Sequence, residues 1–159
     1  VVGEAPRITL SLNRATIAEN AGPNAATLTV QKSGPASSTP TVINLSSSDP
    51  SEATVPASVT LPAGATSASV PVNAIDDARL DGTQAVTLTA QGTGLQTGTI
   101  NLSVTDAESL TATFSAPTVR EDVATGTFVL TVTRSNTDTA LPLTVNLSGN
   151  ERTRIIAPT

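Results

Sequence analysis

The sequence contains no cysteine, histidine, methionine, tryptophan or tyrosine, and its only aromatic residues are Phe114 and Phe128. Each absence removes a chemistry. Nucleophile systems of the Ser/His/Asp and Cys/His kinds need an imidazole base, so neither can be assembled. Zinc, copper and haem sites draw on cysteine and histidine donors; oxygen ligands remain, and these suit a hard cation such as calcium. A carboxylate pair would still permit glycoside hydrolysis, but sugar sites add an aromatic face, and residues 1–109 hold no ring. The chain is therefore expected not to be an enzyme. A net charge of −5, with no ring in the first hundred residues for a base to stack on, argues against nucleic acid as a partner. No run of about 18 apolar residues occurs, so no membrane-spanning helix is expected. The lack of cysteine fits either redox compartment. A core this poor in aromatics needs another source of rigidity, which calcium would supply outside the cell. The chain begins at Val1 rather than Met, which reads as a processed or excised piece with its signal or anchor elsewhere.

What is present is threonine, serine, alanine and valine, a mixture that favours strands with solvated faces. Shifting the chain by 102 residues aligns residues 8–57 with 110–159 without a gap, and twelve of those fifty pairs are identical. They include Glu19/Glu121, Leu28-Thr29-Val30 against Leu130-Thr131-Val132, and Asn44-Leu45-Ser46 against Asn146-Leu147-Ser148. The period equals one small sandwich domain.

Within the first repeat, apolar residues alternate with polar ones at period two, the mark of half-buried strands. Seven such runs occur, around Leu10, Leu28, Ile43, Val59, Val72, Leu88 and Leu102, separated by turn chemistry such as Asp49-Pro50, Asp81-Gly82 and Gly92-Thr93-Gly94. No segment shows a capped helical period, so helices should be absent or a single turn. The expected fold is all-β: a seven-stranded antiparallel Ig-like β-sandwich over 7–107, followed over 108–159 by the first half of a second. In the second copy, strands are expected through Leu110 to Phe114, through Phe128 to Val132, and through Val145 and Leu147, with a short segment at Ile155 and Ile156. Half a sandwich cannot bury its inner face, so either more of this chain or strands from another chain should complete it.

Strand parity adds a functional clue. In an antiparallel sandwich of this kind, alternate loops share one pole, and Glu19, Asp49, Glu52, Asp76, Asp77, Asp81 and Asp106 all fall at that pole. The loops over 33–40, 62–65 and 92–98 carry no carboxylate. Crowded carboxylates repel one another unless a cation neutralises them, and calcium takes about six to eight oxygens from flexible loops. Asp76, Asp77 and Asp106 are expected to be direct ligands, with Glu19 and Asp49 closing the site. Glu52 is expected to be a solvated side chain, Asp81 a turn residue before Gly82, and Arg79 a solvated charge.

The segments TIAENAG at 16–22, SSDPSEATVPASVTLPAGATSASVPV at 47–72, IDDARLDGTQAVTLTA at 75–90 and LSVTDAE at 102–108 resemble the Calx-beta domain. That module occurs in sodium/calcium exchangers, integrin β4 and large bacterial surface proteins. TVREDVATG at 118–126 opens a second copy. The resemblance implies calcium at one pole, near the link to the next domain, with Glu19, Asp49, Asp76, Asp77 and Asp106 as ligands by position. Asp81-Gly82-Thr83-Gln84 stands where the family often has Glu-Gly-Asp-Glu, and Asp106-Ala107-Glu108 stands for its Asp-rich triplet. Fewer charges imply weak binding.

The function expected is an extracellular or cell-surface structural or adhesive repeat, bacterial in type, in which calcium fixes the angle between neighbouring repeats of the same chain. A loop of the second repeat bearing Asp138 would approach that junction. The alternatives are a module recognising surface glycans or proteins, and a filament subunit assembled with other protomers by strand exchange without metal.

Overall fold

The computed structural model describes residues 5–77, 79–116, 129–135 and 143–148. Its strands form where period-two alternation is cleanest. β1 (Ile8–Leu12) opens the first sheet. β3 (Ala26–Lys32) then turns Ala26, Leu28 and Val30 inward, and β7 (Ser67–Ala74) does the same with Val70, Val72 and Ala74. With β5 (Ala53–Thr54) they make a four-stranded sheet ordered β1-β3-β7-β5. Facing it is a five-stranded sheet ordered β2-β9-β8-β4-β6, built from β2 (Thr16–Ala18), β4 (Thr41–Ser47), β6 (Ser58–Leu61), β8 (Gln84–Gln91) and β9 (Gly98–Thr105). Leu28, Val30, Ile43, Val72, Val86 and Leu88 are completely buried between the sheets. Each fully buried aliphatic side chain of this size contributes about 1.5–3 kcal/mol, so the aliphatic core compensates for the missing aromatics. The fold is thus an all-β, two-sheet sandwich whose seven main strands lie at the positions expected from alternation.

Two short strands depart from a purely antiparallel plan. The side chain of Asn13 accepts a 2.8 Å hydrogen bond from the N–H of Thr27, closing the end of the β1–β3 ladder. The chain then crosses to the other sheet, where β2 runs parallel to β9 with Ile17 opposite Val104. The crossing buries Ile17 to 4 % exposure, which the seven-strand plan had left in a loop. Within the next loop at the same pole, β5 pairs with the end of β7, Ala53 opposite Ala74. The only helical residues among those described form one 3-10 turn, Glu19–Ala21.

Beyond β9, β10 (Leu110–Phe114) and β11 (Leu130–Arg134) form an antiparallel hairpin. Its register places Leu110 opposite Arg134 and Ala112 opposite Val132, while β1 and β3 place Ile8 opposite Lys32 and Leu10 opposite Val30. The two pairings differ by the same 102 residues that relate the sequences. A backbone clasp repeats too. Arg7 and Ser33 are joined by Arg7 N–H to Ser33 Oγ and Ser33 N–H to Arg7 O, and Ser109 and Ser135 make the same two bonds. Leu143–Ser148 carries no strand, although alternation had suggested one there. Phe128, Ile155 and Ile156 lie outside the described residues. No described helix is long and apolar enough to cross a membrane.

Candidate metal centre

Backbone bonds between distant loops draw one end of the sandwich together. Ala74 N–H donates to Gly22 O at 3.0 Å and Ile75 N–H donates to Glu52 O at 2.9 Å, fixing the loops after β2, β4 and β7 to one another. At the opposite end, Lys32 N–H bonds Thr66 O and Gln96 N–H bonds Pro6 O. The groove there is lined by Arg7, Thr9, Gln96 and Thr99 and has no carboxylate.

The acid end holds two groups of three carboxylates, each with one oxygen per residue within 4.8 Å of the others. The first is Glu19, Asp106 and Glu108. Glu19 opens the 3-10 turn after β2 and is 1 % exposed, and its Oε1 accepts the N–H of Ala107 at 2.7 Å. Asp106 follows β9 and accepts the N–H groups of Gly82, at 2.8 Å, and of Glu108, at 2.7 Å. Gly82 adopts φ +79°, a backbone state that glycine enters without a Cβ penalty, and this aims its N–H at Asp106. Glu108 belongs to the four-residue connection 106–109 between β9 and β10.

The second group is Glu52, Asp77 and Asp81. Glu52 is 4 % exposed, which corrects the expectation of a solvated side chain. The physical reason is β5: its pairing with β7 folds the loop back over the sandwich end and carries the preceding residue inward. Arg79 is solvated as expected, its side chain 57 % exposed, and it is also paired. Its Nε lies 3.6 Å from Asp77 Oδ2 and its backbone N–H donates to Asp77 Oδ1 at 3.0 Å. The arginine end of this pair is exposed to solvent and the pair contributes little to stability. It does offset part of the negative charge of this second group. Among the described residues, no lysine or arginine is paired with the first.

The electrostatics follow from this crowding. Contact with the Glu19 side chain, then burial, then the Asp106 side chain push the Glu108 carboxyl up from 4.5 to about 8. Burial foremost, then the charges of Asp81, Asp77, Asp49 and Asp106, raise Glu52. Burial also acts to raise Asp106, but the N–H donors of Gly82 and Glu108 prevail and lower it. Glu108 Oε2 is buried with no hydrogen-bond partner. An oxygen in that state costs about 1–3 kcal/mol, and a cation would satisfy it. Three carboxyl groups this close, one with a buried oxygen that lacks a partner, fit a hard, oxygen-seeking divalent ion, which would take the place of the proton that Glu108 otherwise holds up to about pH 8.

Of the five expected ligands, the structure brings Glu19 and Asp106 together in one group and puts Asp77 in the other. Asp49 belongs to neither, because its carboxylate accepts the N–H and hydroxyl of Ser51 within its own turn. Asp76 is exposed and also lies outside both groups. Glu52, Asp81 and Glu108 complete the groups without having been expected as ligands. The signal for Glu108 was its place in the triplet after β9. Asp138 lies outside the described residues.

No protein-family model matches this sequence, and no curated protein does. Solved structures do. The apo form of the Calx CBD1 domain aligns with a TM-score of 0.47 and 15 % identity, over 63 % of this chain and 97 % of that one. CBD12 from CALX1.2 gives the same score and identity, over 63 % of this chain and 44 % of that one. A glycosyl hydrolase family 2 member from Bacteroides cellulosilyticus aligns with a TM-score of 0.46 and 14 % identity, over 64 % of this chain and 14 % of that one.

Proposed function

We propose that the chain is an extracellular, non-enzymatic β-sandwich repeat in which calcium bound at the acid end stiffens the link between one sandwich and the next. The observation that carries this reading is the buried, unpartnered Oε2 of Glu108 beside Glu19 and Asp106. Glu108 sits only two residues before β10, so a cation held there ties the connection to the first sandwich. Glu19, Asp106 and Glu108 would hold the ion. Glu52, Asp77 and Asp81 form a weaker second set, already shared with Arg79. Calcium's contribution is charge neutralisation and oxygen coordination. The chain's own contribution is to hold two of the three carboxylates in place, Glu19 through the N–H of Ala107 and Asp106 through the N–H groups of Gly82 and Glu108.

The partners implied are neighbouring repeats of the same chain, with an adhesive or matrix role at a bacterial cell surface as its setting. The groove at the opposite end is the place where a glycan or protein would be met if recognition were the role.

The test is thermal denaturation of the 159-residue protein in chelator and in several millimolar calcium. Calcium at about 100 times its dissociation constant adds about 2.7 kcal/mol to the folded state. An unchanged Tm would refute the calcium reading.

A further inference from the structure

The segment that enters the first sandwich and the segment that leaves it lie side by side and run in the same direction. At the end away from the acids, Ile8 N–H bonds Gln96 O at 3.0 Å and Gln96 N–H bonds Pro6 O at 2.9 Å, a parallel bridge centred on Arg7 and Gln96. After the crossing between the sheets the entering segment meets β9 again as β2, with Thr16, Ile17 and Ala18 opposite Ser103, Val104 and Thr105. Ser103 N–H donates to Ala15 O at 2.9 Å, and the Thr105 hydroxyl donates to Ile17 O at 3.3 Å. At the acid end the row closes with Ala107 N–H on the Glu19 carboxylate. The stretch from Pro6 to Glu19 is thus tied at its start, near its middle and at its end to the stretch from Gln96 to Ala107.

Direction decides how such a row breaks under tension. Antiparallel neighbours pulled apart at a shared end open like a zipper, and each backbone bond, weak in net terms in water, breaks alone. Parallel neighbours pulled by the start of one and the end of the other must slide along their length, so the whole row gives way together. Pro6 and Ala107 stand at such a start and such an end. Sliding would also drag Ile17, buried in the same core cluster as Val104, through closely packed neighbours. β1 is loaded lengthwise against β3 by the same pull. The connection 106–109 leads into β10, the first strand of the second copy, so tension along the repeats passes through Ala107.

We propose that the first sandwich is a load-bearing unit in which the parallel β2–β9 pair, with the Arg7–Gln96 bridge and the Glu19–Ala107 bond at its two ends, is a shear clamp against tension along the chain. The clamp is made of the chain's own bonds and buried side chains. It is independent of the calcium reading and operates in chelator.

The test is single-molecule pulling of the 159-residue protein in chelator. The sequence has no cysteine, so a pair of introduced cysteines gives unique handles. Ala5→Cys with Ala107→Cys, both exposed positions, loads the clamp lengthwise. Ser38→Cys with Ala63→Cys, exposed positions at the shared end of β4 and β6, peels those antiparallel strands apart. Forced rupture reports the unfolding rate along the direction of pull, so the two geometries are compared at one pulling speed. The lengthwise rupture force should be at least twice the peeling force. Ile17→Ala should lower the lengthwise force and leave the peeling force unchanged, whereas Val59→Ala, a truncation in β6, should do the reverse. Thr105→Val, which keeps the side chain's shape and removes its bond to Ile17 O, should lower the lengthwise force in the same direction and serves if Ile17→Ala does not fold. A ratio of forces below two would overturn the proposal, as would equal lowering of the lengthwise force by Ile17→Ala and Val59→Ala.

Discussion

The N–H of Ala107 donates a 2.7 Å hydrogen bond to Oε1 of Glu19, joining the turn after β2 to the connection that leads into β10 across 88 residues of sequence. Glu19 is 1 % exposed, so its carboxylate is both a structural acceptor for that connection and one of three crowded acids. The charge state of this cluster therefore bears directly on how firmly the connection is held.

Glu19→Gln separates the two roles. The amide oxygen can still accept from Ala107, but the negative charge is gone. Calcium affinity should fall about tenfold or more, equivalent to about 1.4 kcal/mol, while the Tm in chelator should rise only above about pH 8, where Glu108 has lost its proton and its repulsion with residue 19 is relieved. Titration calorimetry and thermal denaturation of the same variant check both halves.

Adjacent aspartates should differ. Asp77 lies in an acid group with Glu52 and Asp81, whereas Asp76 is exposed and outside both groups. Asp77→Asn should reduce calcium-dependent stabilisation, and Asp76→Asn should leave it within about 0.5 kcal/mol of the parent, as for an ordinary surface change. Paired melting curves with and without calcium decide the point. Equal effects of the two substitutions would count against this arrangement.

Stability should depend on pH in a direction set by the carboxyl shifts. Glu108 is raised from 4.5 to about 8, and Glu52 is raised as well. A group that holds its proton more tightly when folded stabilises the fold fully at low pH and loses that contribution as pH rises through its folded value. Asp106 is lowered, so its contribution is present above the ordinary aspartate range and is lost on acidification. In chelator the Tm should therefore peak in weak acid and decline towards about pH 8, and calcium should abolish the alkaline decline. Melting curves from about pH 4 to about pH 9, with and without chelator, test this. A chelated protein whose Tm rises steadily to pH 8 would contradict it.

Away from the acids, Gly98→Ala should destabilise the sandwich. A Cβ at this position would lie 2.6 Å from the carbonyl oxygen of Ile8, a backbone atom that cannot yield without moving β1. Overpacking of this kind costs about 1–3 kcal/mol. Leu88→Ala, which empties a fully buried site, should cost about 2–5 kcal/mol and serves as a scale. Denaturant titration of both variants gives the comparison.

Much of the fold is legible in the sequence because a strand's side chains alternate whatever its neighbours are. Leu28 and Val30, Val86 and Leu88, and Leu102 and Val104 read as inward residues and are buried. β2 and β5 escaped because runs of three and two residues are too short to show a period. Their existence rests on the partners they meet, β9 and β7. The register of β10 on β11 followed from the repeat, since equal sequences place equal residues on the inner face.

The sequence by itself determined the alternation, the 102-residue repeat and the pole to which each carboxylate is delivered, since parity depends only on the order of antiparallel strands. Which carboxylates meet was decided by the tertiary structure. Glu52 turned inward when β5 joined β7, and Glu108 came against Glu19 when the connection after β9 bonded to the turn after β2. Convergence of side chains depends on the paths of loops, and those paths are fixed by long-range backbone bonds such as Ile75 to Glu52 and Ala74 to Gly22, which leave no local pattern.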